Sequence, residues 1–156
     1  MKWITAKSLV TWSNERLDAP AILPSLVGQL IRASASDIAA FRFPSGDAGQ
    51  IQGWDGRLIA DPKDPFKAFI PHGNSVWECG VERPASKKAE KDYKKRTTDN
   101  PDEAVSRPDT TLVIVTAQIW ARADKWCTKK RDLKDWKDVR VIDAVDLEDW
   151  LDLCQG

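Results

Sequence analysis

The segment that decides the fold is TTLVIVT, residues 110–116, which is almost wholly apolar and β-branched. Strands that are covered on both faces have this composition, because neither face of such a strand carries alternating polar side chains. We therefore expect residues 110–116 to form a strand in the centre of a sheet that has helices on both faces.

The sequence on either side of this strand switches between helical and strand periodicity. Apolar spacing predicts helices at residues 5–17, 20–34, 84–97, 121–136 and 146–153. Alternation and turn signals predict further strands at residues 39–44, 53–60, 75–81 and 139–144, and a polar loop at 98–109. Hairpin-linked strands followed by crossover helices imply a three-layer α/β/α sandwich with a central mixed sheet of about five strands.

Composition favours one domain and gives no overall electrostatic attraction for nucleic acid. The chain has 156 residues, of which 42% are apolar, so we expect a single domain spanning residues 1–156 with one substantial core. Lysine plus arginine and aspartate plus glutamate number 24 each, so any binding of nucleic acid must use local basic patches. No segment resembles a membrane span or a signal peptide, and we expect a cytoplasmic protein without a membrane partner.

The cysteines and the single histidine do not indicate a zinc site or a disulfide framework. Cys79, Cys127 and Cys154 are far apart and form no C-x-x-C motif, so ordinary thiols in or near the core are expected. His72 lies in a predicted turn before a strand, where a surface role is expected.

Two acidic residues fall inside predicted strands, where carboxylates are unusual. Asp55 lies between Trp54 and Gly56, and Glu78 follows Trp77 in the next strand. If these strands pair, the two carboxylates converge on one face, where they and a backbone carbonyl could bind Mg²⁺. The alternative is that each acid is an exposed residue at a sheet edge. The two neighbouring tryptophans are expected to form the walls of the site.

An acid on one strand, an acid on the next and a basic residue soon afterwards resemble the PD-(D/E)XK restriction-endonuclease-like superfamily. The chain more narrowly resembles the N-terminal nuclease-like domains of large bacterial NTPase proteins of the antiviral-defence type. The segments that carry this second resemblance are RFPSGD (42–47), GWDG (53–56), NSVWECG (74–80), KA (88–89), DYKKRT (92–97), WKDVRV (136–141), DA (143–144) and DLEDWL (146–151). The resemblance covers nearly the whole chain, from Pro20 to Leu153.

The resemblance implies a particular set of catalytic and metal-binding residues. Asp55 and Glu78 would bind one or two Mg²⁺ or Mn²⁺ ions, and the Cys79 carbonyl would supply a further ligand. The lysine of the superfamily belongs two residues after the second acid, where this chain has Gly80. Lys88, in the first turns of the following predicted helix, is the preferred substitute because it could reach back over the metal.

Other polar residues around these positions are candidates for contact with nucleic acid. Those assigned to nucleic-acid binding are Gln52, Arg83, Lys87, Lys91 and Lys95. Of these, Arg83 and Lys87 are also the second choices for the missing lysine. The alternative is that the lysines of segment 87–95 form a solvated helix face paired with Glu90 and Asp92.

The resemblance implies a metal-dependent endonuclease domain that hydrolyses DNA phosphodiester bonds, as the effector of a bacterial antiviral-defence protein. Such a domain would be the N-terminal part of a longer protein with a C-terminal ATPase or sensor module, and it would act as a homo-oligomer. One alternative is a catalytically impaired module of the same fold that binds nucleic acid or protein, as the glycine at position 80 suggests. Another is an oligomerisation platform that binds no metal. The choice between single-stranded DNA, duplex DNA and RNA stays open.

Overall fold

The structure is a computed structural model that describes residues 4–44, 53–99, 102 and 104–155. The helices and strands follow one another along the chain as α1 (Ala6–Glu15), α2 (Ala19–Ser34), β1 (Ala35–Arg42), β2 (Gly56–Pro62), β3 (Gly73–Gly80), α3 (Ala85–Thr98), β4 (Thr111–Thr116), α4 (Ala123–Asp132), β5 (Asp138–Ile142) and α5 (Ala144–Gln155). Short 3₁₀ turns lie at Phe66–Ala68 and Arg107–Asp109. The predicted turn at residues 45–49 lies outside the described residues.

The strands form one mixed sheet in the order β1-β2-β3-β4-β5. The β1–β2 and β2–β3 pairs are antiparallel, whereas β3, β4 and β5 run parallel to one another. Strand β4 lies between two neighbours and is buried at all six positions, as its composition predicts. Each parallel crossover is made by a helix, α3 and then α4, and the common handedness of such crossovers places both helices on one face of the sheet.

The three-layer α/β/α sandwich predicted from the sequence is confirmed. Helices α1, α2 and α5 cover one face of the sheet, around a core that includes Leu23, Leu58 and Trp77. Helices α3 and α4 cover the other face, where Val76 and Leu112 belong to the second core. None of the helices in the described part of the chain is long and apolar enough to cross a membrane.

Two of the boundaries that differ from the sequence prediction have a clear local reason. Strand β1 begins at Ala35 rather than at residue 39, because its pairing with β2 is irregular between Ser36 and Ala40 and this hides the alternating pattern. Helix α4 ends at Asp132 rather than at residue 136, and Lys134 has a φ of 58°, which is incompatible with a continuing right-handed helix.

Candidate metal centre

Asp55 lies directly before β2 and faces the end of β3. Gly56 pairs with Trp77, so the antiparallel register places Asp55 opposite Glu78. The Oδ2 atom of Asp55 accepts a hydrogen bond of 2.7 Å from the backbone N–H of Cys79. The prediction that Asp55 lies inside a strand was wrong, because β2 begins one residue later. The carboxylate is therefore positioned by a loop end that is tied to β3.

Glu78 is a buried member of β3, with 3% of its surface exposed. The pKa of its carboxyl group is raised from 4.5 to about 8, mainly by burial. The neighbouring Asp55 also raises this pKa, and its effect is larger than the lowering by the Arg96 guanidinium. The hydrogen bond between the carboxyl groups of Asp55 and Glu78 contributes to the same shift. The structure thus brings the two predicted acids together, and we call them the acidic pair. The alternative was that each acid is an exposed residue at a sheet edge, and this is wrong for Glu78 because it is buried.

Arg96 completes this cluster, and sequence reasoning missed it. Its Nε donates to Oε1 of Glu78, and its Nη2 donates to the backbone carbonyl of Gly53. The guanidinium carbon lies 5.2 Å from the ring centroid of Trp54, and only 11% of the side chain is exposed. Gly53 has a φ of 94°, a left-handed conformation that favours glycine and turns this carbonyl toward the arginine. A buried cation therefore bridges the acidic pair and the chain entering β2.

Lys88 lies directly over Gly80, the position where the resemblance predicts a lysine. A Cβ atom added to Gly80 would lie 3.0 Å from Cγ and 3.2 Å from Cε of Lys88. The helix lysine therefore fills the space that a side chain at position 80 would otherwise enter. The glycine allows this close approach, because even a methyl group at position 80 would crowd the lysine stem and require it to shift.

The ammonium group of Lys88 is held by the next turn of its own helix. Its Nζ lies 2.8 Å from Oδ1 and 2.6 Å from Oδ2 of Asp92. Burial alone would lower the pKa of Lys88, but its hydrogen bonds with Asp92 and the negative charges of Asp92, Glu78 and Glu82 raise it above the usual value. Lys88 is therefore a permanent cation beside the acidic pair rather than a proton acceptor.

Helix α3 presents its charged side chains to the site at a regular spacing. Lys88, Asp92 and Arg96 are four residues apart, so they lie along one side of the helix. Ala85, Ala89 and Tyr93 have the same spacing and are buried. The four-residue spacing of the charged set was the sequence signal that could have identified Arg96. Using this signal would have required the assumption that the charged residues, as well as the apolar ones, face the sheet.

The Cys79 residue offers an oxygen rather than a sulfur ligand. Its N–H points toward Asp55, and in an extended strand the carbonyl of the same residue points to the same side. The next carbonyl, that of Gly80, points the other way and accepts a hydrogen bond of 3.2 Å from the N–H of Ala117. Burial and the nearby carboxylates of Asp55 and Glu78 raise the pKa of the Cys79 thiol well above its usual value, so a thiolate is disfavoured.

These groups fit a hard divalent cation with few protein ligands. Two carboxylates and the carbonyls of Cys79 and Gly53 are oxygen donors, which suit Mg²⁺ or Mn²⁺, and Mg²⁺ commonly uses one or two carboxylates together with several waters. The residues that the structure describes include no group of three or more His, Cys, Asp or Glu side chains suited to a metal, so a closed zinc-type site is not present among them. The arginine already bound at the acidic pair shows that this position stabilises positive charge.

The other residues assigned to nucleic-acid binding differ in how far the structure describes them. Arg83, Lys87, Lys91 and Lys95 are exposed on or just before α3, and Gln52 lies outside the described residues. Of the acidic partners expected for the helix lysines, Asp92 binds Lys88, whereas Glu90 binds Lys130 of α4 at 2.7 Å. A solvated surface is therefore correct for the outer lysines but not for Lys88.

The two tryptophans beside the acidic pair face opposite sides of the sheet. Trp54 belongs to the core beneath α3 and contacts Arg96, as expected of a wall of the site. The prediction for Trp77 was wrong: its ring is fully buried in the opposite core, and its Nε1 donates to Oγ of Ser75 at 2.9 Å. Successive side chains of a strand alternate between faces, so a residue next to Glu78 in sequence cannot share its side.

No model of a protein family, no curated protein and no solved structure matches the chain. Inference about function therefore depends on the residues of the site.

Proposed function

We propose that the chain is a Mg²⁺- or Mn²⁺-dependent endonuclease domain of the PD-(D/E)XK type, which hydrolyses DNA phosphodiester bonds. The observation that carries this proposal is the position of Lys88 over Gly80, beside the acidic pair. The proposal is supported by two acids that face each other and by a lysine stem over position 80, although this lysine belongs to a helix instead of the strand. A lysine on an unrelated surface would not explain why its stem occupies the side-chain space of residue 80.

The residues divide the chemistry among them. A bound divalent cation would supply Lewis-acid activation of water and would stabilise negative charge on the phosphate. Asp55 and Glu78 would hold that cation, and the carbonyl of Cys79 would orient toward it. Lys88 keeps its proton, so it would donate hydrogen bonds to the attacking water or to a phosphate oxygen and stabilise charge in the transition state.

The proposed substrate is DNA by the resemblance, and a phosphate backbone is supported by exposed basic residues that lie on α3 or just before it, beside the acidic pair. Arg83, Lys87, Lys91 and Lys95 give a chain of zero net charge a local basic surface for the phosphate backbone. Assembly into a homo-oligomer, control by a C-terminal ATPase or sensor module, a cytoplasmic location and a role in antiviral defence rest on the sequence resemblance.

The test is cleavage of supercoiled plasmid DNA in Mg²⁺ or Mn²⁺ by matched variants. Asp55→Asn, Glu78→Gln and Lys88→Ala should each lower the rate by at least about 100-fold, since each removes a group that acts on the transition state. Lys94→Ala, which removes another exposed lysine of α3, should retain most of the activity. Cleavage that survives either acid substitution, or equal losses for the two lysine variants, would contradict the proposal.

A double substitution tests the role of Lys88 more directly. Gly80→Lys combined with Lys88→Ala moves the amine from helix to strand, into space that the lost stem vacates. Cleavage should recover relative to Lys88→Ala alone. Failure to recover, with the variant folded and still able to bind the metal, would show that Lys88 does not replace a strand lysine.

The second candidate function is a non-catalytic module that binds nucleic acid or protein. The observation in its favour is the hydrogen bond from the Arg96 guanidinium to Glu78, which already satisfies one of the acids without a metal. This function predicts binding of DNA that does not depend on Mg²⁺, together with no cleavage under any metal. Metal-dependent cleavage that requires both acids would exclude it.

A further inference from the structure

We propose that Arg96 is a built-in counter-cation of the acidic pair, and that a divalent metal binds only when this side chain is displaced. Arg96 would thereby set the metal affinity of the site. The inference rests on the proposed function, because it takes the acidic pair as the metal site.

The contacts of Arg96 are those that a metal would need. Its guanidinium bonds to the Glu78 carboxylate and to the Gly53 carbonyl, two of the oxygens available at the site. Mg²⁺ binds its oxygen ligands directly, at about 2.0–2.1 Å, and leaves no room for a guanidinium on the same lone pairs. A metal and the guanidinium would therefore compete for the same oxygens, and their positive charges would repel each other.

The competition is permanent, because an arginine side chain cannot lose its charge in a protein. The side chain is 11% exposed and the Glu78 side chain 4% exposed, so solvent screens poorly the attraction between the guanidinium and the negative charge of the acidic pair. Displacing the arginine must therefore subtract from the free energy that metal binding releases.

The attachment of Arg96 nevertheless permits displacement. Helix α3 ends at Thr98, so Arg96 belongs to its last turn, and its long side chain crosses from the helix to the sheet. Freed from Glu78, the guanidinium would lie beside the proposed DNA surface, where a phosphate could accept two hydrogen bonds from it. The same residue would thus serve the metal-free and the substrate-bound protein with different partners.

The test is calorimetric titration of Mn²⁺ into the whole chain without DNA at pH 9, where a proton competes least with the metal for Glu78. Arg96→Ala and Arg96→Gln should each bind Mn²⁺ roughly 10-fold more tightly or better, since each removes a charged hydrogen-bond donor from Glu78. Arg96→Gln retains an amide that can donate to Gly53, so it serves if the alanine variant unfolds. Lys95→Ala removes an equal but exposed charge from the adjacent position and should bind within twofold of the wild type.

Each outcome is decisive. Tighter binding in the Arg96 variants, including binding that appears only in them, supports the inference. Affinity that is unchanged or weaker in both Arg96 variants, or absent from every protein, overturns it. Asp55→Asn in the Arg96→Gln background separates the two proposals: loss of Mn²⁺ binding keeps the acidic pair as the metal site, and retained binding shows that the pair is not the site.

Discussion

Replacing Glu78 by glutamine should stabilise the metal-free protein at alkaline pH and have much less effect near pH 5. The folded carboxyl group keeps its proton up to about pH 8, whereas in the unfolded chain it ionises near its ordinary value of 4.5. Between these values the folded state binds more protons than the unfolded state, so the free energy of unfolding falls as pH rises. Glutamine has nearly the same shape but does not titrate, so the free energy of unfolding of the Glu78→Gln variant does not fall with pH in this way.

The size of the effect follows from the displacement of the pKa. At 1.36 kcal/mol per pH unit, a rise from 4.5 to about 8 corresponds to an upper limit of about 5 kcal/mol. Part of the titration lies below pH 5, and relaxation and water entry lower the cost of a buried charge, so we expect the variant to gain between about 2 and 4 kcal/mol on the wild type from pH 5 to pH 9. The glutamine amide can also donate to Asp55, as the protonated acid does.

Urea unfolding at pH 5, 7 and 9 in the presence of a chelator would measure this gain. Glu82→Gln, an exposed neighbour, is the matched control and should show little of it. A stability difference between Glu78→Gln and the wild type that is the same at every pH would refute the reasoning. It would mean that Arg96 outweighs burial and Asp55, and that Glu78 is ionised in the folded protein.

Three further predictions concern metal binding and stability. Affinity for Mn²⁺ should rise roughly 10-fold per pH unit up to about pH 8 and then level off, because Glu78 must lose its proton; calorimetry in buffers of different ionisation enthalpy should detect that proton. Gly56→Ala should cost about 1 to 3 kcal/mol in urea unfolding, because the added Cβ overlaps the ring of Phe43, and Phe43→Leu should restore part of the loss. Asp143→Ala should lower stability by about 1 to 2 kcal/mol because its Oδ1 accepts from the first N–H groups of α5, whereas the exposed Asp152→Ala should not.

The layers of the fold could be predicted because they depend on periodicity. Strand β4 has no exposed position and is almost wholly apolar and β-branched, so it belongs between two helical layers. The crossover helices follow from the parallel strands on either side. The convergence of Asp55 and Glu78 was predictable for a related reason. Adjacent antiparallel strands place residues opposite one another, and Asp55 still lies opposite Glu78 although it is one residue outside β2.

The role of Arg96 could not be read from periodicity alone. Its contact depends on the rotation of α3 about its axis, which decides whether the Lys88, Asp92 and Arg96 side of the helix meets the sheet or the solvent. The apolar residues of α3 fix that rotation only roughly, because Ala85 and Ala89 are small and allow charged neighbours to be buried as well. A long side chain then reaches a partner 18 positions away in sequence.

The placement of Lys88 divides the site between two layers of the protein. A lysine on β3 would share one rigid sheet with the acids, whereas here the acids belong to the sheet side and both cations belong to α3. Any sliding or rotation of this helix would move Lys88 and Arg96 together relative to the acidic pair, and would change the distances on which charge stabilisation depends. A force or an assembly contact applied to α3 would therefore reach the centre of the site directly, without passing through the strands.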